Sequence, residues 1–554
     1  MMSALRRLPL ASFRLPVLVK DLTEQAAQRR TYIIRFAYGL VLFTSTVVLF
    51  YANLGTGASA RQTLGRGSSY FAILLAFQMI AMYLVIPLLT AGAIAGERQR
   101  ETLVLLLLSP LTPMQIVLQK YLSRMAPVLT FVFLSFPLLA ITYTFGGVTV
   151  GQLLLGIALV TFVCLELGAF GIMCSSWSAT TAQALGATYV GSLLFPWVCS
   201  GVCCTFPVAA LSGSTNVVDL GALTSAGFCL FSTVACLSIA EFVLSARASA
   251  SAPRSVPPLF QKIDRFFELV NGVAGGIVVW RDRASLPSSE PIRWRETRKR
   301  TFGTPRYLAR VLLALELPVV VLVPAIRLKA APAIQEQGLA IVLAITWVSA
   351  VLLVGVFAAS IVSQERSRQT LAVLLTAPLS GRQILQQKLA GVDRLILVLL
   401  APLVSFIGFQ FWWKSPGAGR YLVLALLTLI YLPCVKWLAT GFGLRMRTQL
   451  IAIVVTVSTL AIWTLAPPLA LAVLGQFQLD GPAVREFVLV LSPLNAVAAI
   501  QKMATNSSGL PGRLLERDRP FLWHFALYAG LWFLLRQYCL RNLDRRLGRV
   551  PQPG

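Results

Sequence analysis

The chain has 554 residues, of which 57% are hydrophobic and only 12% are charged. Soluble globular proteins carry about 25% charged residues, so this chain has too few polar side chains to cover a water-exposed surface. Runs of about 20 apolar residues match the length of a helix that crosses a bilayer, and lipid forces such segments to satisfy their own backbone hydrogen bonds. Composition therefore excludes a soluble globular protein and predicts an all-α, polytopic membrane protein.

The formal net charge is +27, which in a soluble protein would suggest nucleic-acid binding. The first 30 residues are basic, but no apolar core precedes a cleavage site, so no signal peptide is expected. The segment Phe13–Arg30 instead predicts an amphipathic helix lying along the membrane surface.

Hydropathy predicts two sets of six spans. The first set covers roughly 32–51, 70–95, 125–145, 150–175, 183–208 and 219–245; the second covers roughly 308–326, 339–362, 395–412, 420–441, 450–475 and 521–538. The predicted domains are an amphipathic lead-in (1–31), a first six-span domain (32–245), a basic connector with a second lead-in helix (246–306), a second six-span domain (307–540) and a basic tail (541–554). The segment Val484–Met503 is predicted to be a short re-entrant or surface helix.

Basic residues are distributed unevenly between the two sides of the predicted membrane. With a cytoplasmic N-terminus, inner segments hold 36 Lys and Arg and outer loops hold 11. The positive-inside rule then predicts a cell-membrane protein with both termini cytoplasmic. Much of the positive charge faces anionic lipid in this arrangement, so nucleic acid is not needed to explain it.

Two inner loops repeat each other. Residues Glu97–Lys120 and Glu365–Lys388 align without a gap at an offset of 268, with 13 of 24 positions identical. The matched positions are Glu97/Glu365, Arg98/Arg366, Arg100/Arg368, Thr102/Thr370, Leu103/Leu371, Leu106/Leu374, Leu107/Leu375, Pro110/Pro378, Leu111/Leu379, Gln115/Gln383, Ile116/Ile384, Gln119/Gln387 and Lys120/Lys388. The halves are therefore duplicated, and an even number of spans in each half gives them a common orientation.

Each repeated loop predicts a helix–turn–helix on the inner membrane surface. Leu103, Leu106 and Leu107 share one helical face, and Pro110 should end that helix. Glu97 and Glu365 are predicted to form ion pairs with the neighbouring arginines. A weaker match before the first span of each half pairs Glu24 with Glu296.

This pattern resembles the permeases of type-2 ABC transporters, here as two permease domains in tandem. Those permeases have six spans, a preceding surface helix, and a loop after span two that reads much like "ER..GTL..LL..PLS...I...K". Glu101 and Gln369 depart from it, because a small residue usually precedes the threonine. The resemblance implies that these loops couple to a separate ATP-binding subunit through Glu97, Arg98, Arg100, Thr102, Leu103, Leu106, Leu107, Pro110, Leu111, Lys120, Glu365, Arg366, Arg368, Thr370, Leu371, Leu374, Leu375, Pro378, Leu379 and Lys388.

No phosphate-binding G-x-x-x-x-G-K-[ST] loop occurs in the sequence. We therefore expect no cofactor and no catalysis on this chain. ATP and Mg²⁺ are expected on a partner, with two copies of an ABC ATP-binding subunit on the two loops and lipids around the spans.

Charged residues within or near spans are candidates for a substrate path, because an intramembrane charge is costly and needs a partner or a cavity. Glu166 and Glu316 are such candidates, with a buried, hydrogen-bonded carboxyl as the alternative. The single histidine, His524, is interpreted as a satisfied residue at a helix end. The nine cysteines lie in or beside apolar runs and are interpreted as small apolar residues.

Two other functions remain open from the sequence. A secondary carrier with six plus six spans would need no ATP-binding partner, and a membrane scaffold would use the same fold without transport. The leading interpretation is an ATP-driven exporter, whose substrate the sequence does not reveal.

Overall fold

The structure is a computed structural model. It describes residues 15–27, 32, 35–36, 38–40, 42–44, 46–47, 67–144, 146–200, 220–249, 290–299, 305–329, 332–367, 369–413, 419–446, 448–476, 481–505, 514–541 and 543. The described part contains helices and turns, with no strand among these residues.

The first half begins with a surface-exposed helix and continues with long apolar helices. In chain order these are α1 Pro16–Ala26, α2 Gly67–Thr90, α3 Gly92–Gln99, α4 Leu103–Leu107, α5 Pro113–Thr144, α6 Val150–Trp177, α7 Thr181–Ser200 and α8 Leu220–Ser249. α2 and α3 together form the second predicted span, with a break at Ala91.

The second half repeats this order after a short α-helix and a π-helix (Arg295–Lys299). The elements are α9 Pro291–Trp294, α10 Pro305–Lys329, α11 Pro332–Ser367, α12 Leu371–Leu375, α13 Gly381–Trp412, α14 Arg420–Arg445, α15 Gln449–Gln476, α16 Pro482–Leu491, α17 Pro493–Thr505 and α18 Leu514–Leu540. The fourth span packs against the second and sixth in both halves: α6 on α2 and α8, and α14 on α11 and α18.

Among the described residues, nine helices are long and apolar enough to cross a membrane, or ten if the bent pair α16–α17 is one span. This finding confirms a polytopic helical architecture. The predicted first span, 32–51, lies mostly outside the described residues, and α7 and α18 occupy two further predicted spans. The total of twelve therefore stays a prediction.

The two halves share a continuous apolar core where α7 meets α11. Leu185 and Tyr189 of α7 belong to the same buried cluster as Phe357 of α11. A Cβ atom on Gly186 would lie 3.1 Å from Leu353 Cδ2, so the missing side chain allows the two helices to approach closely.

The predicted re-entrant segment is a sharply bent helix pair. α16 and α17 meet at an angle of 112° at Ser492-Pro493. The carbonyl groups that end α16 are satisfied from α18, where Tyr528 donates to Leu491 at 2.7 Å and His524 Nδ1 lies 3.2 Å from the Leu489 oxygen. His524 is hydrogen-bonded, as expected, but it lies inside α18 rather than at the end of that helix.

Candidate functional site

Each repeated loop consists of one short helix followed directly by the third span. The short helices α4 and α12 have five residues each. The prediction of a separate second helix in each loop is wrong. α5 and α13 each run without a break for 32 residues from the loop into the third span. Reciprocal hydrogen bonds cap both of these helices, between Thr112 and Gln115 and between Ser380 and Gln383.

The turn before each short helix is a Schellman motif, in which a left-handed residue follows the helix end. In the first loop, the Thr102 amide donates to the Glu97 oxygen and the Glu101 amide to the Arg98 oxygen. Glu101 has φ 62°, and Gln369 has φ 57° at the equivalent position. The small residue common in type-2 permeases suits this conformation, since glycine adopts positive φ without steric cost.

A buried lysine joins three elements beneath the first loop. Lys120 Nζ on α5 lies 3.1 Å from Asp21 Oδ2 on α1 and 3.2 Å from Glu97 Oε1 on α3. The other oxygen of Glu97 accepts a short hydrogen bond from the Thr102 hydroxyl. The Lys120 side chain is 4% exposed, so this ion-pair cluster is part of the protein interior.

The second loop is built on the same contacts. Lys388 Nζ lies 2.9 Å from Glu365 Oε1 and 3.2 Å from Glu296 Oε1, and Thr370 donates to the other Glu365 oxygen. All three charged side chains are at most 8% exposed. We call these two clusters the lysine junctions: Asp21–Glu97–Lys120 and Glu296–Glu365–Lys388.

The lysine junctions correct two predictions about acidic residues. Glu97 binds the distant Lys120 rather than the neighbouring arginines, and Glu365 binds Lys388 at the equivalent position. The residue that corresponds to Glu296 is Asp21, not Glu24, which is largely exposed and lies 4.0 Å from Lys20. The sequence contained a signal for Asp21, since it lies on the apolar side of α1, between Leu18 and Leu22.

A glutamine beside each lysine anchors the preceding helix. Gln119 Oε1 accepts hydrogen bonds from the amides of Val17 and Leu18 at the start of α1, at 3.0 and 3.3 Å. Gln387 Oε1 accepts one from the Arg293 amide at 3.4 Å. These amides have no partner inside their own helix, so the glutamines satisfy them and fix the helix position.

The repeated arginines bind the end of the fourth span. Arg98 Nη1 donates to the Ser178 oxygen at 3.1 Å, and Arg366 Nη1 donates to the Met446 oxygen at 2.9 Å. Ser178 and Met446 follow the last residues of α6 and α14, where carbonyl groups lack helical partners and positive charge is favourable. Arg100 is exposed, and Arg368 lies outside the described residues.

The short helix α4 turns a different face outward from the predicted one. Leu103 is 8% exposed, and Leu106 and Leu107 pack against the core of the first half. The outward side chains are Val104, Leu105 and Leu108, at 63%, 70% and 78% exposure. Leu103, Leu106 and Leu107 therefore hold the helix on the protein, and the other three side chains form its more exposed apolar face.

The second short helix, α12, follows the same division. Leu371 and Leu375 pack against the buried apolar cluster that contains Phe357, and Leu374 is partly buried. Val373 is 74% exposed. Pro110 and Pro378 are exposed in the turn after each short helix, and Leu111 and Leu379 are partly buried beside them.

A comparison with protein families identifies both halves. The family described as "ABC-2 family transporter protein" matches residues 15–217 and 261–532, once in each half. The chain belongs to the ABC-2 transporter family. A search of curated proteins finds no match to the chain. The family assignment makes this chain the membrane component of an ABC transporter, with its two permease domains in tandem.

One glutamine links the two halves of this ABC-2 transporter close to its first loop. Gln99 Nε2 donates to Gln449 Oε1 at 2.9 Å, and Gln99 Oε1 accepts from the Thr181 hydroxyl at 3.1 Å. Thr181 and Gln449 are equivalent positions at the first turn of the fifth span in each half. A narrow apolar crevice of about 10 Å³ adjoins them, lined by Leu88, Gly92, Thr181, Leu185, Leu450 and Ile453.

The two carboxyl groups considered for a substrate path do not line this crevice and do not meet each other. Glu166 Oε1 accepts a 2.6 Å hydrogen bond from the Ser232 hydroxyl between α6 and α8. Glu316 lies on α10, with Oε2 buried and no hydrogen-bond partner among the described residues. Lys436, a further charge within a span, binds Asp393 at 2.6 Å.

Proposed function

We propose that this chain is the membrane subunit of an ATP-driven exporter and that two copies of a separate ATP-binding subunit dock on its two loops. In this proposal α4 and α12 face the cytosol, and both termini are cytoplasmic. Val104, Leu105 and Leu108 form the contact face of the first loop, which we call the first docking face. Val373 and Thr376 belong to the second docking face, at equivalent positions.

The observation that carries this proposal is the combination of an exposed apolar face with a rigid base in both halves. Exposed apolar side chains on a short helix need a partner surface, because leaving them in water is unfavourable. In each half, the lysine junction connects the base of the loop to three elements: the helix before the first span, the second span and the third span. A force on the docking face would therefore reach three elements together.

The same contacts connect the loops to the contact between the halves. Arg98 and Gln99 are neighbours, and they bind the end of α6 and the start of α15, respectively. We propose that the substrate path lies between the halves and that movement of the first loop opens it. The crevice is narrow but its lining is almost entirely apolar, so we expect movement of the halves to widen it for an apolar or amphipathic substrate. We propose that this substrate enters from the inner leaflet and is exported.

Docking is tested by purifying the chain from its native membrane with its ATP-binding subunit. We expect Leu105→Asp combined with Val373→Asp to abolish recovery of that subunit, because a charge on each docking face must be desolvated in the complex. The matched control is Val150→Asp, an exposed position at the end of α6 opposite the loops.

Each result has a defined meaning for the proposal. Loss of the subunit with unchanged yield and thermal stability of the membrane chain supports docking. Full recovery of the subunit with both docking faces charged would refute it and favour a carrier or a scaffold without this partner. Stimulation of the partner's ATP hydrolysis by an amphipathic lipid analogue, with uptake into inside-out vesicles, would then distinguish export from scaffolding.

A further inference from the structure

The two docking faces differ in chemistry although their backbones match. At three equivalent positions the first loop has Val104, Leu105 and Leu108, whereas the second has Ala372, Val373 and Thr376. The first three are all more than 60% exposed, and Val373 and Thr376 are exposed as well. The first docking face therefore presents more apolar surface than the second.

The second docking face has more positive charge around it than the first. Met114, partly buried at the start of α5, is replaced by the exposed Arg382 at the start of α13. The exposed Glu101 is replaced by the exposed Gln369. The second loop thus carries one more positive and one fewer negative group, close to a face that has less apolar area.

We propose that the two loops are unequal docking sites for the ATP-binding subunit, with a tight apolar site on the first loop and a looser, salt-sensitive site on the second. This inference rests on the proposed function. Two copies of one subunit, offering the same groove to both loops, gain more from burying Leu108 and Leu105 than from burying Thr376 and Val373. One copy then stays bound to the first loop while the second exchanges.

The size of the difference follows from the side chains. The first docking face has about five more side-chain carbon atoms than the second, and each methylene group removed from water changes affinity about fourfold. Burial of about half of that excess gives a ratio of at least tenfold between the two dissociation constants. Exposed charges interact less as salt rises, because the Debye length falls from about 10 Å at 0.1 M to about 3 Å at 1 M.

The test is a titration of the purified full-length chain with its ATP-binding subunit at about 0.1 M and about 1 M salt. We expect two classes of site whose dissociation constants differ at least tenfold, with only the weaker class losing affinity at high salt. Arg382→Met should remove most of that salt dependence.

Exchanging the faces gives a matched pair of variants. Val104→Ala with Leu105→Val and Leu108→Thr should turn the tight class into a second loose class. Ala372→Val with Val373→Leu and Thr376→Leu should turn the loose class into a second tight class. The control is Val150→Ala, an exposed position at the opposite end of α6 from Ser178, which should leave both classes unchanged.

The possible results separate the inference from the function on which it rests. A single class of site in the unmodified chain would overturn the inequality while leaving docking intact. Exchanges that both lower or both raise the affinity would do the same. No effect of either exchange on subunit binding would overturn docking itself and would indicate that these side chains rest on lipid. Loss of the loose class alone when the first face is exchanged would also overturn the inference.

Discussion

Most of the residues repeated between the two loops have a specific contact in the structure. Glu97, Thr102 and Lys120 bind one another, and Arg98 binds the end of the fourth span. The same set recurs at equivalent positions in the second half. These groups are charged or hydrogen-bonded and mostly buried, and loss of one removes a hydrogen bond or an ion pair from its partner in the interior.

The two lysine junctions should differ in their sensitivity to mutation. Lys388→Met removes the ammonium group that Glu296 and Glu365 both bind in a site where the three side chains are at most 8% exposed. Removal of one partner from a buried ion pair costs about 3–5 kcal/mol. Lys120→Met should cost less, because the Glu97 side chain is 33% exposed and Arg124 lies close enough to Asp21 and Glu97 to interact with them electrostatically.

Thermal unfolding of the purified chain measures this difference. The midpoint should fall further for Lys388→Met than for Lys120→Met. Equal shifts for the two variants would show that Arg124 and the exposure of Glu97 do not moderate the loss.

Glycine should stabilise the left-handed turn before each short helix. Glu101→Gly and Gln369→Gly relieve a conformation that costs an ordinary residue about 1–2 kcal/mol, partly offset by the greater freedom of glycine in the unfolded chain. We expect each variant to raise stability by about 0.5–1 kcal/mol. Glu101→Val should lower stability in the same unfolding assay, because a β-branched residue tolerates positive φ poorly. A stabilised valine variant would contradict the left-handed conformation assigned to this position.

At the scale of elements, apolar run length predicted the long helices well, whereas helix ends in the loops were harder to predict. The residues from Pro113 to Arg124 contain no glycine and no internal proline, so nothing local ends the helix before it enters the membrane. Its mixed polarity suggested a separate surface helix. The polarity instead reflects contacts with α1 through Gln119, Lys120 and Ser123.

The bent pair α16–α17 depends on side chains from α18 within the membrane. Tyr528→Phe removes the donor to the Leu491 carbonyl, and an unsatisfied buried group costs about 1–3 kcal/mol. We expect a lower unfolding midpoint with unchanged capture of the ATP-binding subunit, because the pair packs on α14 and α18 away from the loops. Tyr143→Phe, at an exposed tyrosine, is the control. Loss of subunit capture in Tyr528→Phe would contradict this separation of roles.

At the scale of the whole molecule, the halves are similar in sequence but their contacts with each other are not symmetric. Gln99 bridges the starts of both fifth spans, whereas the equivalent position in the second half is Ser367. In the first half, the fifth span α7 packs closely on α11 through Gly186. The fifth span of the second half, α15, is instead separated from α2 and α3 by the crevice. Duplication thus produced two similar loops on a body whose two sides differ.

The bond between Gln99 and Gln449 should couple the two halves energetically. In a double-mutant cycle with Gln99→Ala and Gln449→Ala, we expect an interaction energy of about 0.5–1.5 kcal/mol in unfolding. Gln99→Ala with Gln152→Ala is the control pair, since Gln152 lies at the opposite end of α6 from the loops. Additive effects in the first pair would show that the bridge does not hold the halves together.

The sequence by itself determined the membrane class, the positions of most long helices, the duplication and the residues that the two loops share. These features are local, because composition, run length and matched residues do not depend on how helices pack. The tertiary structure decided which leucines face outward, that Asp21 rather than Glu24 meets Lys120, and that Gln99 joins the halves. Such contacts depend on the rotation of one helix against another, which is set by packing between residues far apart in the chain.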